Sequence, residues 1–196
     1  KGILGRHDTT TVDVCMADRE TFTIYGEQVA IQHALEDLAE VGDWVTCHVP
    51  GHSATDVLYV NPRERLAFMG DHLLPKMSPN PLIRRGRPGQ PRPKSLVEYR
   101  ASLQRTRALD LETCYPGHGG PITDHRALVD GVLRRQDERT EKVRSFLKGT
   151  GPRTPCELTF ELFPKLELEN LYFGLSVAIG HLELLEDQGE AVREYC

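Results

Sequence analysis

Three side chains with metal-binding chemistry stand in glycine-bearing turns: His52 in Pro50-Gly51-His52-Ser53, Asp71 in Gly70-Asp71-His72, and His118 in Pro116-Gly117-His118-Gly119-Gly120. Glycine beside each lets the backbone turn sharply and lets a ligand approach closely. A single histidine after Pro-Gly is usually a turn residue and nothing more. Three such turns, each following a strand-like run, read instead as part of a metal site. Neutral imidazole and carboxylate are the usual donors to zinc, iron or manganese in hydrolytic centres. A carboxylate shared by two ions offsets their mutual repulsion, and water held there is acidified from a pKa near 15.7 to about 7. The hydroxide so formed attacks an ester, thioester or lactone carbonyl without a protein nucleophile. No G-x-S-x-G sequence competes with that chemistry.

The flanking patterns say what must position these residues. Residues 56–60 and 66–69 are apolar strand-like runs around a turn at 61–64, and residues 44–49 form a strand feeding the His52 turn. A hairpin of that kind brings the His52 and Asp71 turns to one end of a sheet. A further strand at 112–115 leads into the His118 turn. Between them, residues 95–110 predict a helix buried along Leu96, Tyr99, Leu103 and Leu109, with Ser95 and Glu98 at capping-box spacing. Tyr99, Tyr115 and Ser53 are near enough in sequence to reach the site. Residues 75–93, rich in Pro, Gly and Arg, predict a long irregular loop at its rim, where Arg84, Arg85 and Arg87 are candidates to hold a carboxylate or phosphate. The alternative for them is a solvated loop.

Taken in order, Pro-Gly-His-Ser, a hairpin, Gly-Asp-His-Leu-Leu and Pro-Gly-His-Gly resemble the C-terminal half of the metallo-β-lactamase superfamily. The stretch from Leu73 to His118 is similar to its hydrolase branch of glyoxalase-II-like, lactonase-like and thioesterase-like enzymes. The resemblance implies an α+β fold: a metallo-β-lactamase-type αβ/βα sandwich, here its C-terminal half, followed by a small helical winged-helix-like domain. It implies that His52 ligates one metal ion, Asp71 bridges two and His118 ligates the second. The ions expected are one or two zinc, with iron or manganese as alternatives. The reaction expected is hydrolysis of a small ester, lactone or thioester by metal-bound hydroxide. Asp71 is then catalytic as well as metal-binding. His72 beside it joins the catalytic set by orienting the Asp71 loop through a hydrogen bond, or else serves structure alone.

The family's H-x-H-x-D-H motif has no counterpart in residues 1–50, where His7-Asp8 is the only adjacent pair of ligand types and His33 stands alone. The first sheet is therefore expected to be absent from this sequence. A truncated or degenerate homologue that folds or dimerises without activity is the alternative to a hydrolase, and a ribonuclease-type member a third reading.

Composition bounds the rest. At 196 residues the chain suffices for one domain, residues 1–123, and a C-terminal helical domain, residues 124–196. A net charge of −5 argues against a general nucleic-acid or anionic-membrane partner. No apolar run approaches the ~18 residues of a membrane span, and the first residues are too polar for a signal peptide. Five dispersed cysteines, none in C-x-x-C spacing, suit a reducing cytoplasm.

Alternation at residues 11–15 and 21–25 predicts strands, and the stripe Val29, Ile31, Ala34, Leu35, Leu38 and Val41 predicts a helix over 28–41. Trp44 reads as a core anchor. Helices are expected at 124–148, 155–163 and 167–185, with His181 a core histidine. The last helix carries glutamates and almost no basic residues, so packing or a homodimer suits it better than DNA. The expected partner of the whole is a small-molecule substrate.

Overall fold

The computed structural model describes residues 21–24, 27–30, 40–86, 89 and 91–194, and the chain divides into two compact units, Lys1–Glu36 and Asp37–Cys196. In the first, β1 (Thr21–Ile24) and β2 (Glu27–Ala30) form an antiparallel pair with Phe22 opposite Val29. The helix expected over 28–41 is thus wrong at both ends, since residues 28–30 belong to β2 and residues 40–41 to β3 (Glu40–Val41). The alternating run at 21–24 needs a partner for its backbone groups, and the next residues in the chain supply it before a helix can form. The strand expected at 11–15, His7-Asp8 and His33 lie outside the described residues.

The second unit is built on a five-stranded sheet in the order β3-β4-β5-β6-β7, with β4 (Trp44–His48), β5 (Val57–Asn61), β6 (Leu66–Gly70) and β7 (Thr113–Pro116). Neighbours are antiparallel except β6 and β7, which run parallel across a connection carrying α1 (Ser95–Ala108). Parallel neighbours require such a crossover. Between β5 and β6, Asn61 Oδ1 accepts from the Glu64 amide at 2.9 Å, and Arg65 takes the left-handed backbone at φ 52° that closes the turn.

Period-two alternation gives the sheet two unlike faces. Cys47, Leu58, Val60, Ala67, Met69 and Cys114 are buried against Tyr99 and Leu103 of α1 and against Val129, Val132 and Leu133 of α2 (His125–Thr150). The other face carries Tyr59, Phe68 and Tyr115, 41–49% exposed. Trp44 is half-buried there, stacked on Phe68 at 5.2 Å, and Phe68 meets Tyr115 at 5.6 Å. Trp44 is therefore not the core anchor expected of it: alternation along β4 puts it on the aromatic face, opposite the core residues.

Past β7 the elements formed by the described residues are helices: α2, α3 (Pro155–Leu162) and α4 (Leu171–Asp187), the last after a 3-10 turn at Leu168–Asn170. Asp124 caps α2 by accepting from the Ala127 amide at 2.9 Å, and Thr154 with Glu157 forms a reciprocal capping box on α3. The second half of α2 contributes Val143 to a separate core with Leu158, Ala178 and Leu185. One helix thereby serves both cores. Among the described residues no strand follows β7. No described helix is long and apolar enough to cross a membrane.

Candidate metal centre

β4, β6 and β7 all end at one edge of the sheet, since His48 pairs with Val57 at the start of β5 and Gly70 pairs with Pro116. The three predicted turns leave from that edge and bring their side chains together. His52 Nε2 lies 4.0 Å from Asp71 Oδ2, and His118 Nε2 lies 3.5 Å from Asp71 Oδ1. Each imidazole addresses its own oxygen of one carboxylate. His118 is 78% exposed and Asp71 33%, so the group opens outward. Glycine is required beside it: a Cβ on Gly117 would come within 2.5 Å of Asp71 Oδ1. The Gly117 amide donates to Gly70 O at 2.6 Å and locks the two turns together.

The floor beneath these turns is α1. Tyr99, wholly buried, donates its hydroxyl to His72 O at 2.8 Å and presses against Gly51, where any side chain would overlap its ring. One tyrosine so braces both the His52 and the Asp71 loops, and burial raises its pKa, keeping the phenol protonated. Ser102 Oγ donates to Pro50 O at 2.7 Å and Arg105 Nη1 to His48 O at 2.7 Å. His72 is buried with its Nε2 2.8 Å from Thr106 Oγ1. Thr106 gives its own proton to Ser102 O at 3.0 Å, so it must accept from His72, which fixes the Nε2–H tautomer. Desolvation pushes the His72 pKa down to about 4, and the ring is neutral at pH 7.

Asp56, Thr106 and Ser102 have roles that motif reading missed. Asp56 accepts from the Ser53 amide at 2.7 Å and from Ser53 Oγ at 2.6 Å, folding the His52 loop upon itself. The Ser-x-x-Asp spacing was a visible signal for this turn. Thr106 has no local signal, lying 34 residues from its partner. Tyr115 sits on the aromatic face of the sheet.

The rim differs from expectation too. Arg84 donates to Ser95 Oγ at 3.2 Å and to Glu98 Oε2 at 2.6 Å, which takes both residues out of the expected capping box; Lys94 is the N-cap and has no side-chain cap bond. Arg92 pairs with the buried Glu183, whose pKa burial raises against the pull of Arg92 and Arg193. Tyr172 Oη donates to Ile83 O at 2.6 Å, and Ser176 Oγ accepts from the Ile83 amide at 3.2 Å. The loop is irregular as expected, but it is strapped to α4, and Arg84 is spent on α1. Arg85 is exposed; Arg87 lies outside the described residues.

The model of the metallo-beta-lactamase superfamily matches residues 4–118. The chain belongs to this superfamily. It is 35% identical over 152 residues to a probable metallo-hydrolase, YqjP, of Bacillus subtilis (strain 168), covering 78% of this chain and 47% of that protein. A metallo-beta-lactamase family protein of Thermus thermophilus, TTHA1429, superposes with a TM-score of 0.62 at 26% identity, over 89% of this chain and 49% of its own. A beta-lactamase domain protein of Burkholderia ambifaria superposes at 0.69 and 23% identity, over 91% and 48%, and shares the fold. The chain spans about half the length of these relatives.

Metallo-β-lactamase proteins generally bind metal ions such as zinc or iron, and the donors at the sheet edge fit one side of such a centre. Two ligands about 2.1 Å from a tetrahedral ion stand about 3.4 Å apart, close to the 3.5 Å between His118 and Asp71. His52 needs a small adjustment from 4.0 Å. Its Nδ1 is buried without a hydrogen-bond partner among the described residues, so no second contact fixes its tautomer. Among the described residues no group of three or more His, Cys, Asp or Glu stands close enough to hold a metal ion as the side chains lie. The donors present make a partial set.

Proposed function

We propose that this chain carries one side of a metal-dependent hydrolytic centre acting on a small ester, lactone or thioester. One observation carries the reading: the Asp71 carboxylate stands between two imidazoles, one to each oxygen. His52 and Asp71 would hold one ion, Asp71 and His118 the other, with zinc the leading candidate and iron or manganese alternatives. The ions, when bound, supply acidified water and polarise the scissile carbonyl. His72 orients the Asp71 loop, its Nε2–H held by Thr106 and its carbonyl by Tyr99; its low pKa leaves the ring uncharged at pH 7. Tyr99 holds the two donor loops at fixed separation. The free thiols of Cys114 and Cys156 suit a reducing, cytoplasmic setting for this reading.

The test is kcat/KM, in a form supplying the clustered histidines of the family, on p-nitrophenyl acetate, a γ-lactone and an acyl thioester. Asp71→Asn, His52→Ala and His118→Ala are each expected to lower it more than about 100-fold with an unchanged far-ultraviolet spectrum. Activity that survives Asp71→Asn sinks the reading. The second reading, a homologue that folds or dimerises without catalysis, is favoured by the incomplete donor set. It prevails if all three substrates stay uncleaved with zinc present.

A further inference from the structure

A cavity of about 450 Å³ lies away from the metal-ligand candidates, between residues 78–81 of the long loop and helices α2 and α4. That is the size of small-molecule sites. Its apolar lining includes Phe163, Phe173 and Val177, and its polar lining includes Arg135, Arg139 and His181. Arg135 and Arg139 are one helical turn apart on α2, so both guanidinium groups serve one wall. Neither has a carboxylate partner among the described residues. Arg100, Arg144, Arg153 and Arg193, outside the cavity lining, each close on one. Arg139 instead lies over the Phe163 ring at 5.8 Å. Arg139 is exposed at its surface, while partial desolvation of the group and then repulsion from Arg135 lower its pKa.

His181 adds a directional group. Thr140 gives its proton to Gln136 O at 2.9 Å, so Thr140 Oγ1 accepts from His181 Nδ1 at 2.8 Å. Burial pushes the His181 pKa down to about 3, so the ring is neutral and Nε2 is left without a proton. Both arginines are solvent-exposed, so a ligand entering the cavity can reach them, and the chain as a whole carries a net charge of −5. They suit a ligand that brings the missing negative charge.

We propose that this cavity binds a small organic anion, a carboxylate or phosphate monoester on an apolar body, with Arg135 and Arg139 as its anion-holding pair. The inference goes beyond the hydrolytic reading and stands without it.

Titration calorimetry of the 196-residue chain with hexanoate, hexyl phosphate, inorganic phosphate and 1-hexanol tests it. At least one of the two organic anions is expected to bind, at least about tenfold more tightly than 1-hexanol and than inorganic phosphate. Whichever binds better names the head group. The double variant Arg135→Gln/Arg139→Gln is expected to weaken that binding at least about tenfold, while Arg153→Gln, paired with Glu157 outside the cavity, leaves it unchanged. The proposal is overturned if neither organic anion binds, if 1-hexanol or inorganic phosphate binds as well, or if Arg153→Gln weakens binding as much as the double variant.

Discussion

The sheet edge and the C-terminal helices each bury one histidine in the same way and put it to different use. His72 sits on Thr106, whose hydroxyl is committed to Ser102 O; His181 sits on Thr140, whose hydroxyl is committed to Gln136 O. In both cases a helical threonine satisfies the backbone four residues back and turns its lone pair to a ring N–H. Both rings are forced neutral by burial. At the sheet edge this rigid pin lies under the half-buried His52 and Asp71 and the exposed His118. Among the helices it lies beside a cavity walled by two arginines. A buried histidine is therefore a support whose meaning is set by what it holds up.

The comparison breaks first under acid. Burial, then the charges of Arg139 and Arg100, push the His181 pKa down to about 3. With the folded pKa below the unfolded value near 6.5, stability is fully present above pH 6.5 and falls as the pH drops toward 3. The loss through His181 is on the order of 5 kcal/mol once the pH reaches 3, and urea unfolding of His181→Gln is expected to show a flatter profile over that range. A profile as steep as the parent's would falsify that assignment. Next is Gly51→Ala, whose Cβ overlaps Tyr99; a loss of about 2–3 kcal/mol is expected by denaturant unfolding, together with weaker zinc binding. Gly180→Ala, where a Cβ would lie 3.0 Å from Leu96 Cβ, should lose less and leave zinc binding alone.

Thr106→Val and Thr140→Val sharpen the contrast. Each strands a buried ring N–H and is expected to cost about 1–3 kcal/mol, but only Thr106→Val should weaken zinc binding. Equal effects on zinc would mean that the two supports are not separate. Tyr99→Phe removes one bond to His72 O and is expected to cost about 1 kcal/mol by thermal unfolding.

What could be read from the sequence follows the same division. That His52, Asp71 and His118 come together was legible because each came with its own glycine turn after a strand, a local signal. The strands that aim them alternate in period two over a few residues, so β4 to β7 were legible as well. Tyr99 was recognised as buried, yet its bracing of two loops depends on Gly51, 48 residues before it. Thr106 and Asp56 looked like ordinary polar residues until their partners were in place. Residues 28–30 misled because their helical stripe ignored the unpaired strand before them. Arg84 misled because a guanidinium in a loop says nothing of which carboxylate the fold brings to it. Arg135 and Arg139 show their one-turn spacing in sequence, but their lack of acidic partners exists only in three dimensions.

The most direct test of the metal centre is a zinc titration of the 196-residue chain followed by the imidazole resonances of His52 and His118 in nuclear magnetic resonance. The account predicts that both rings shift in one concerted titration and that Asp71→Asn weakens zinc binding at both by at least about tenfold. Rings that respond independently, or that respond as before when Asp71 is replaced, would contradict it.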